Sequence, residues 1–234
     1  MEYPIRINRY LLLNNYCSRR QADRFIKDGQ VFINGTVATL GQQVHAGDEV
    51  RVGNAVVELL ENYQYYLFNK PRGIVSHHPQ RDEKSIEDIS GIVDDVSVVG
   101  RLDKESCGLM LLTNDGRIVN TILNPIYAHQ REYEVCVDKY LKESDLRKLA
   151  RGVRIEGYLT KPAIAKRLGE KSFSLTLTEG KKHQIRRMCA ALGYQVVDLK
   201  RVRMLHLSLD IKPGEARTLT TKEKETLLEQ CGII

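Results

Sequence analysis

Cysteine is sparse in this sequence, and closely paired cysteines are missing. The five cysteines, at 17, 107, 136, 189 and 231, are widely spaced, and no two of them form a C-x-x-C pair. That spacing argues against a zinc site, and a reduced, cytoplasmic protein is the simplest expectation. Long apolar runs are missing as well. None approaches the ~20 residues that span a bilayer, and no signal-peptide core is present, so no membrane association is expected.

An excess of acidic residues is also missing. The 234 residues include 36 lysines and arginines against 30 aspartates and glutamates, which gives a net charge of +6. A basic chain fits a polyanionic partner, although a solvated basic surface with no partner is also common. The hydrophobic content of 42% and the charged content of 28% are typical of a globular protein, and the length suggests one or two domains.

The first fifty residues have the pattern of a small module with two helices and a sheet. An apolar pattern starting at Ile7 predicts a short amphipathic helix. Ser18 followed by Gln21 predicts a capping box at the start of a second helix, which is expected to end at Gly29. Asn34–Gly35 between short apolar runs predicts a hairpin. The module is therefore expected to be α+β.

In the helical part of this module, residues 1–29, six basic residues are accompanied by only three acidic ones, which favours phosphate binding over a merely solubilising role. They are Arg6, Arg9, Arg19, Arg20, Arg24 and Lys27. The module resembles the S4 family of RNA-binding domains, through Arg6–Tyr10, Cys17–Asp23, Gly29–Gly35 and Gly47–Val50. We expect this S4-like domain over residues 1–52, a linker over residues 53–64 and a larger domain over residues 65–234.

The larger domain has the pattern of short strands interleaved with a few helices. The predicted strands include Tyr65–Phe68, Val96–Val99, Leu109–Leu112, Arg131–Val137 and Ser172–Thr178, and helices are expected near 116–123, 143–152, 184–193 and from 221 onward. Strands and helices do not alternate regularly. An α+β fold with a mixed, largely antiparallel sheet is therefore expected.

Charged residues cluster in a loop between two of these predicted strands. The loop from Gly100 to Gly108 contains Arg101, Asp103 and Glu105. Functional side chains often lie on loops held by a rigid sheet, but a salt-bridged surface loop fits the local pattern equally well. The loop alone leaves both interpretations open.

A second basic region extends from Lys181 to His206, with seven lysines and arginines against Asp198 alone. Such a density of positive charge predicts a nucleic-acid footprint. The adjacent His77 and His78 could suggest a metal, but no carboxylate or cysteine stands at a supporting spacing. A solvated or RNA-facing loop is favoured there, and no metal site is expected.

Four motifs of the larger domain resemble those of pseudouridine synthases. They are Asn69–Gly73, Gly100–Asp103 with Ser106 and Gly108–Leu109, Glu132–Tyr133, and Gly180 with His183–Met188. With the S4-like leader, the motifs resemble the ribosomal small-subunit synthase A branch, and within it the large-subunit synthase F type. The resemblance implies the pseudouridine synthase fold. It also implies a monomeric isomerase that converts uridine to pseudouridine in structured RNA without metal or cofactor. Its expected substrate is 23S ribosomal RNA, with a tRNA target left open.

The resemblance also implies roles for individual residues. Asp103 would be the catalytic carboxylate, acting either as a nucleophile or as a base. Arg186 would pair with Asp103 and keep it ionised. Tyr133 would stack on the target base, and Arg101 would fill the gap left when the uridine flips out.

Further basic residues are expected to bind RNA. They are, besides Arg101 and the six of the S4-like module, Lys70, Arg72, Lys181, Lys182, Arg187 and Arg203. For Lys70 and Arg72 a second role, supporting the active-site side of the sheet, fits equally well. The rival hypothesis is a non-catalytic RNA-binding or ribosome-assembly protein. The trio of Asp103, Tyr133 and Arg186 favours the enzyme, because binding alone requires none of it.

Overall fold

The computed structural model describes residues 3–14, 16–17, 19–57, 63–92 and 96–234. The chain divides into two compact units, one of residues 1–64 with 114–117 and one of residues 65–113 with 118–234. The predicted capping residue Ser18 and residues 58–62 of the predicted linker lie outside the described residues. The two units are described separately below.

The first unit combines two short helices with two small sheets. Its elements are β1 (Ile5–Arg6), α1 (Ile7–Leu13), α2 (Arg19–Lys27), β2 (Val31–Ile33), β3 (Thr36–Val37), β4 (Gln43–Val44), β5 (Val50–Val52) and β6 (Ala55–Val56). Strands β3, β2, β5 and β6 form an antiparallel sheet in that order, and β1 pairs with β4. Strand β6 lies inside the stretch predicted as linker, and Val57 is buried, so the packed unit extends beyond residue 52.

Local sequence explains much of this unit. Ala22 and Ile26 of α2 are buried in a core shared with α1, so the opposite side of α2 faces solvent. The turn between β2 and β3 places Asn34 at φ +50° and Gly35 at φ +77°. These positive values are those of a type I′ turn, which confirms the predicted hairpin.

The remaining elements build a larger sheet with helices around it. They are β7 (Tyr65–Lys70), α3 (Ile86–Ile89), β8 (Ser97–Val99), β9 (Cys107–Thr113), α4 (Gly116–Leu123), β10 (Arg131–Val137), α5 (Glu143–Arg151), β11 (Arg154–Ile155), β12 (Tyr158–Leu159), β13 (Ile164–Arg167), β14 (Ser172–Leu177), α6 (Gln184–Ala191), β15 (Val196–Met204), β16 (Leu207–Ser208), β17 (Ala216–Thr218) and α7 (Thr221–Gln230). The sheet runs in the order β13-β14-β10-β15-β9-β7-β17, with β8 paired to β9 and β16 to β15.

Of the strand pairs in this sheet, β9 and β15 run parallel and the others run antiparallel. The predicted α+β fold with a mixed, largely antiparallel sheet is therefore confirmed. Helix α7 begins where a helix was predicted, at a capping box in which the backbone N–H of Thr220 donates to the Glu223 carboxylate at 2.8 Å. In the described part of the chain, no helix is long and apolar enough to cross a membrane.

A close approach at Gly108 makes the parallel pair possible. Gly108 has φ +109°, and a Cβ atom there would lie 2.2 Å from the backbone oxygen of Arg201 in β15. Only glycine tolerates both the conformation and the contact. This contact places the loop that precedes β9 next to strand β15.

Candidate active site

A cavity of about 460 Å³ opens among the loop after β8, strands β10 and β15, and the segment that precedes α6. This volume is within the range of small-molecule sites. Asp103 and Tyr133, two of the three predicted catalytic residues, both line it, together with Arg131, His183 and Arg201. The cavity therefore collects residues from motifs that are far apart in sequence.

The loop that carries Asp103 is fixed by the segment after β7. The Ser76 hydroxyl donates to the Leu102 carbonyl at 2.8 Å and accepts from the Leu102 N–H at 3.0 Å. A ring nitrogen of His77 lies 2.9 Å from the Gly100 carbonyl oxygen. Neither Ser76 nor His77 was assigned this role from sequence, because their partners lie more than twenty residues away. These hydrogen bonds hold the backbone of the loop in a fixed position.

Lys70 supports the same loop from inside the protein. Its side chain is fully buried, and its ammonium donates to the carbonyls of Ile74 at 2.7 Å, Pro71 at 3.0 Å and Lys104 at 3.4 Å. Burial lowers the pKa of Lys70 from 10.5 to about 8. The predicted contact between Lys70 and RNA is therefore contradicted, since an enclosed ammonium cannot reach a phosphate. The alternative expectation, support of the active-site side of the sheet, fits its position.

The buried ammonium predicts a pH dependence of stability. Between about pH 8 and pH 10.5 the unfolded chain binds the Lys70 proton more tightly than the folded chain does. The free energy of unfolding should therefore rise through this window, by at most about 1.4 kcal/mol per pH unit. Urea denaturation of wild type and Lys70→Met at matched pH values would isolate this rise. A constant difference between the two proteins across the window would contradict it.

Asp103 has a different partner from the one predicted. Its carboxylate is partly exposed, and a ring nitrogen of His183 lies 3.4 Å from it. Arg186 instead donates to the carbonyls of Glu105 at 3.0 Å and Val196 at 3.3 Å. The expected Arg186–Asp103 ion pair is not formed in the structure, because the guanidinium is directed to the backbone. Arg186 thus helps to hold the loop rather than the carboxylate itself.

Tyr133 lies on β10, half-buried, and is paired in register with Arg201 of β15 and Leu175 of β14. Arg131 stands two residues earlier on the same strand and lines the same cavity, as the alternation of side chains along a strand requires. Sequence reasoning did not assign Arg131 or Arg201 to the site. The alternation around Tyr133 was a signal that could have identified Arg131.

Glu179 is a further residue that was not predicted. It is buried and accepts hydrogen bonds from the Tyr158 hydroxyl, from the Lys161 N–H at 3.0 Å and from the Gln184 amide at 2.8 Å. Gln184 in turn accepts from the Lys181 N–H at 2.8 Å. These bonds fix the segment that carries His183 into the cavity.

The predicted RNA-binding residues fall into two groups. The exposed group comprises Arg101, Lys181 and Lys182, which line the cavity, and Arg6, Arg9, Arg19, Arg20, Arg24 and Lys27 of the first unit. Each member of the second group forms an ion pair with an acidic side chain of the same unit: Arg72 with Asp198, Arg187 with Glu156, and Arg203 with Glu132. The first group is better suited to phosphate, because within the described residues none of its charges is held in an ion pair.

Two further residues near the cavity are Cys107, which follows the loop that carries Asp103, and His77, one of the two adjacent histidines considered for a metal from sequence. Burial raises the pKa of the Cys107 thiol, which makes the reactive thiolate scarcer. His77 is engaged with the Gly100 carbonyl. Both observations fit structural positions beside the cavity.

Comparison with known proteins extends these observations. The family model described as RNA pseudouridylate synthase matches residues 64–191, and the S4 domain model matches residues 5–50. Dual-specificity RNA pseudouridine synthase RluF of Escherichia coli K12 is 43% identical over 94% of this chain and 77% of its own length. Ribosomal large subunit pseudouridine synthase B of Bacillus subtilis is 38% identical over 95% of each chain.

Two further relatives support the same family. Ribosomal small subunit pseudouridine synthase A of Haemophilus influenzae is 32% identical over 96% of this chain and 100% of that protein. A crystal structure of a pseudouridylate synthase is 32% identical and gives a TM-score of 0.71 over 95% of this chain and 99% of that one. The predicted family, its S4-like leader and the predicted fold are confirmed by these matches.

Proposed function

Because the chain belongs to the RNA pseudouridylate synthase family, we propose that it isomerises a specific uridine of ribosomal RNA, as a cytoplasmic monomer. The activity itself follows from the family, and the ribosomal target is supported by the names of its large-subunit and small-subunit relatives. The observation that carries the proposal is the placement of Asp103 and Tyr133 in one cavity of the catalytic unit.

The reaction requires an ionised carboxylate at the sugar. The C1′–N1 bond breaks and its electron pair leaves with the uracil ring. The ring turns, C5 bonds to C1′, and the proton on C5 is lost while N1 takes up a proton. Asp103 serves as nucleophile at C1′ or as base toward the sugar, and both routes need the carboxylate form. His183, 3.4 Å from Asp103, orients that carboxylate.

Tyr133 and Arg101 act on the base that is flipped out of the RNA. Tyr133 stacks on the uracil, because its ring lines the cavity beside Asp103. Arg101 is exposed, lines the cavity, and forms no ion pair with the residues that the structure describes. A long, uncommitted cation at the cavity entrance fits the space that the flipped uridine leaves in the RNA. Arg186 is a positioning residue that holds the loop.

The first unit binds RNA backbone through the exposed side of α2. Arg20, Arg24 and Lys27 all lie on the side opposite the buried Ala22 and Ile26. A row of cations on one helix face contacts phosphates without reading sequence. The expected role of this unit is therefore affinity rather than catalysis.

Neutralising these three cations together should weaken RNA binding and reduce its salt dependence. The triple variant Arg20→Gln, Arg24→Gln, Lys27→Gln is expected to lower the slope of log K against log salt by about 2, if each cation neutralises one phosphate. Filter binding or fluorescence anisotropy over a salt series would measure it. A matched control replaces Lys166, Lys212 and Lys222, three exposed lysines of the second unit, by glutamine. An equal loss in both variants would show that only total charge matters.

The activity is tested with RNA transcripts labelled with tritium at C5 of uridine, because bond formation at C5 releases that hydrogen. Transcripts of large-subunit RNA, small-subunit RNA and tRNA are compared, and the modified position is then mapped. Tritium release from one ribosomal transcript supports the proposal. Binding without release from every transcript would favour the non-catalytic alternative, and release from tRNA alone would overturn the ribosomal target.

A further inference from the structure

The cavity contains a buried guanidinium that has no acidic partner among the residues that the structure describes. Arg201 is 3% exposed, and its Nε donates to the Leu109 carbonyl at 2.7 Å. Its Nη2 lies 2.9 Å from the sulfur of Met110, which is a weak acceptor. No carboxylate among the described residues lies within ion-pair distance of Arg201. Buried charges in proteins are normally paired, so this cation lacks a counterpart that a ligand would supply.

A second guanidinium lies beside the first. Arg131 lines the same cavity, and its Nη2 donates to the Ile122 carbonyl at 2.7 Å. Both side chains line this one cavity and come from two paired strands, β10 and β15. Burial lowers the pKa of Arg131; Tyr133 opposes this effect and the positive charge of Arg201 adds to it. Two guanidinium groups that line one cavity, with no carboxylate of the described residues paired to them, form a binding site for the oxygen atoms of a ligand.

The position of this pair within the cavity indicates which part of the RNA it meets. Arg201 lies directly across the β10–β15 pairing from Tyr133, and Arg131 is two residues before Tyr133 on the same strand. Phosphates remain near solvent, where the exposed Lys181, Lys182 and Arg101 are available. The inner pair is therefore left for the group that enters the cavity, which is the base.

We propose that Arg131 and Arg201 bind the carbonyl oxygens of the target uracil and stabilise the negative charge that the ring acquires during isomerisation. The proposal rests on the proposed function. When the C1′–N1 bond breaks, its electron pair stays on N1 and spreads onto O2 and O4. The charge disappears when C5 bonds to C1′. The proton then leaves C5 while N1 takes up a proton, so the ring stays neutral and regains its conjugation. A fixed cation that is shielded from water, as the 3%-exposed Arg201 is, stabilises such charge strongly because the local dielectric is low.

The pair also explains selection of uracil over cytosine. A guanidinium has only donors, so it binds the O4 acceptor of uracil and meets a donor in the amino group of cytosine. Cytosine is then rejected because its amino group and the guanidinium are both hydrogen-bond donors and neither finds an acceptor inside the cavity. The specificity and the rate enhancement would come from the same two side chains.

The test compares Arg201→Gln and Arg131→Gln with Lys166→Gln as the matched control. Lys166 is an exposed lysine on β13 of the same sheet. It does not line the cavity and lies outside the basic region from Lys181 to His206, and its loss removes the same charge. We expect the single-turnover rate at saturating RNA to fall by about 10²–10³-fold in each arginine variant. RNA affinity should change little in all three, and the control should keep its rate. Arg201→Lys, which keeps the charge, should recover part of the rate.

Two outcomes would overturn the inference. Weaker RNA binding with an unchanged rate at saturating RNA would mean that Arg131 and Arg201 bind phosphate. Full activity in both arginine variants would mean that the two residues have no role in the reaction. If Arg201→Gln fails to fold, the rate of Arg131→Gln still tests the inference, because Arg131 is less deeply buried and its replacement should disturb the fold less. Replacing the target by 4-thiouridine gives a second readout: it should slow wild type and slow the arginine variants no further. Inactive wild-type enzyme on every transcript would instead count against the proposed function.

Discussion

Replacing Asp103 by asparagine is expected to abolish isomerisation while leaving RNA affinity nearly unchanged. The amide has the size of the carboxylate but serves neither as nucleophile nor as base, so both routes open to Asp103 are lost. The rate of a single turnover should fall by at least about 10³-fold, as for other essential nucleophiles and bases. The loop should keep its position, because Ser76 and His77 hold it through the backbone of Leu102 and Gly100. Pseudouridine formed per enzyme in one turnover is the measurement.

Glu105→Gln is the matched control for that variant. Glu105 is an exposed carboxylate on the same loop, two residues away, and Arg186 contacts its backbone carbonyl rather than its side chain. The substitution removes the same charge from the same loop and should leave the rate within a small factor of wild type. Turnover by Asp103→Asn would refute the assignment. Equal losses of rate in the two variants would show that the effect depends only on the net charge of the loop.

Replacing Gly108 by alanine is expected to destabilise the catalytic unit by about 3 kcal/mol, the scale of combined backbone strain and overpacking. The added Cβ would lie 2.2 Å from the oxygen and 2.7 Å from the nitrogen of Arg201, and its φ of +109° is unfavourable for alanine. The backbone atoms of Arg201 are held in the sheet, so they cannot move away to relieve this clash as the end of a flexible side chain could. The free energy of unfolding, measured in urea, should show the loss. Activity should fall too, since Arg201 and the Asp103 loop meet at this position.

Gly193→Ala separates the clash from the conformational strain. Gly193 has φ +81°, similarly unfavourable, but no atom lies within 4 Å of where its Cβ would be. The strain alone should cost about 1 kcal/mol. If both variants lose the same stability, the close approach of β9 and β15 is not what requires glycine at position 108.

Features that depend on neighbouring residues were decided by the sequence itself. The Asn34–Gly35 turn needs two positive φ angles, which those two residues adopt readily, and the capping box at Thr220 uses a partner three residues away. The alternation along Arg131–Val137 similarly determined strand β10. The motifs around Asp103 and Tyr133 were sufficient to indicate the family and two members of the site.

Only the tertiary structure decided what the charged side chains do. The Lys70 ammonium reaches a carbonyl 34 residues away, and Arg201 one that is 92 residues away. A lysine or arginine in sequence carries the same charge whether it is exposed to phosphate or enclosed by carbonyls. Burial and partners, which depend on the packed sheet, separate Lys70 from Lys181, place His183 rather than Arg186 at Asp103, and turn Arg201 into the cavity. Local sequence determines the backbone elements, and their packing determines which charges remain available to RNA.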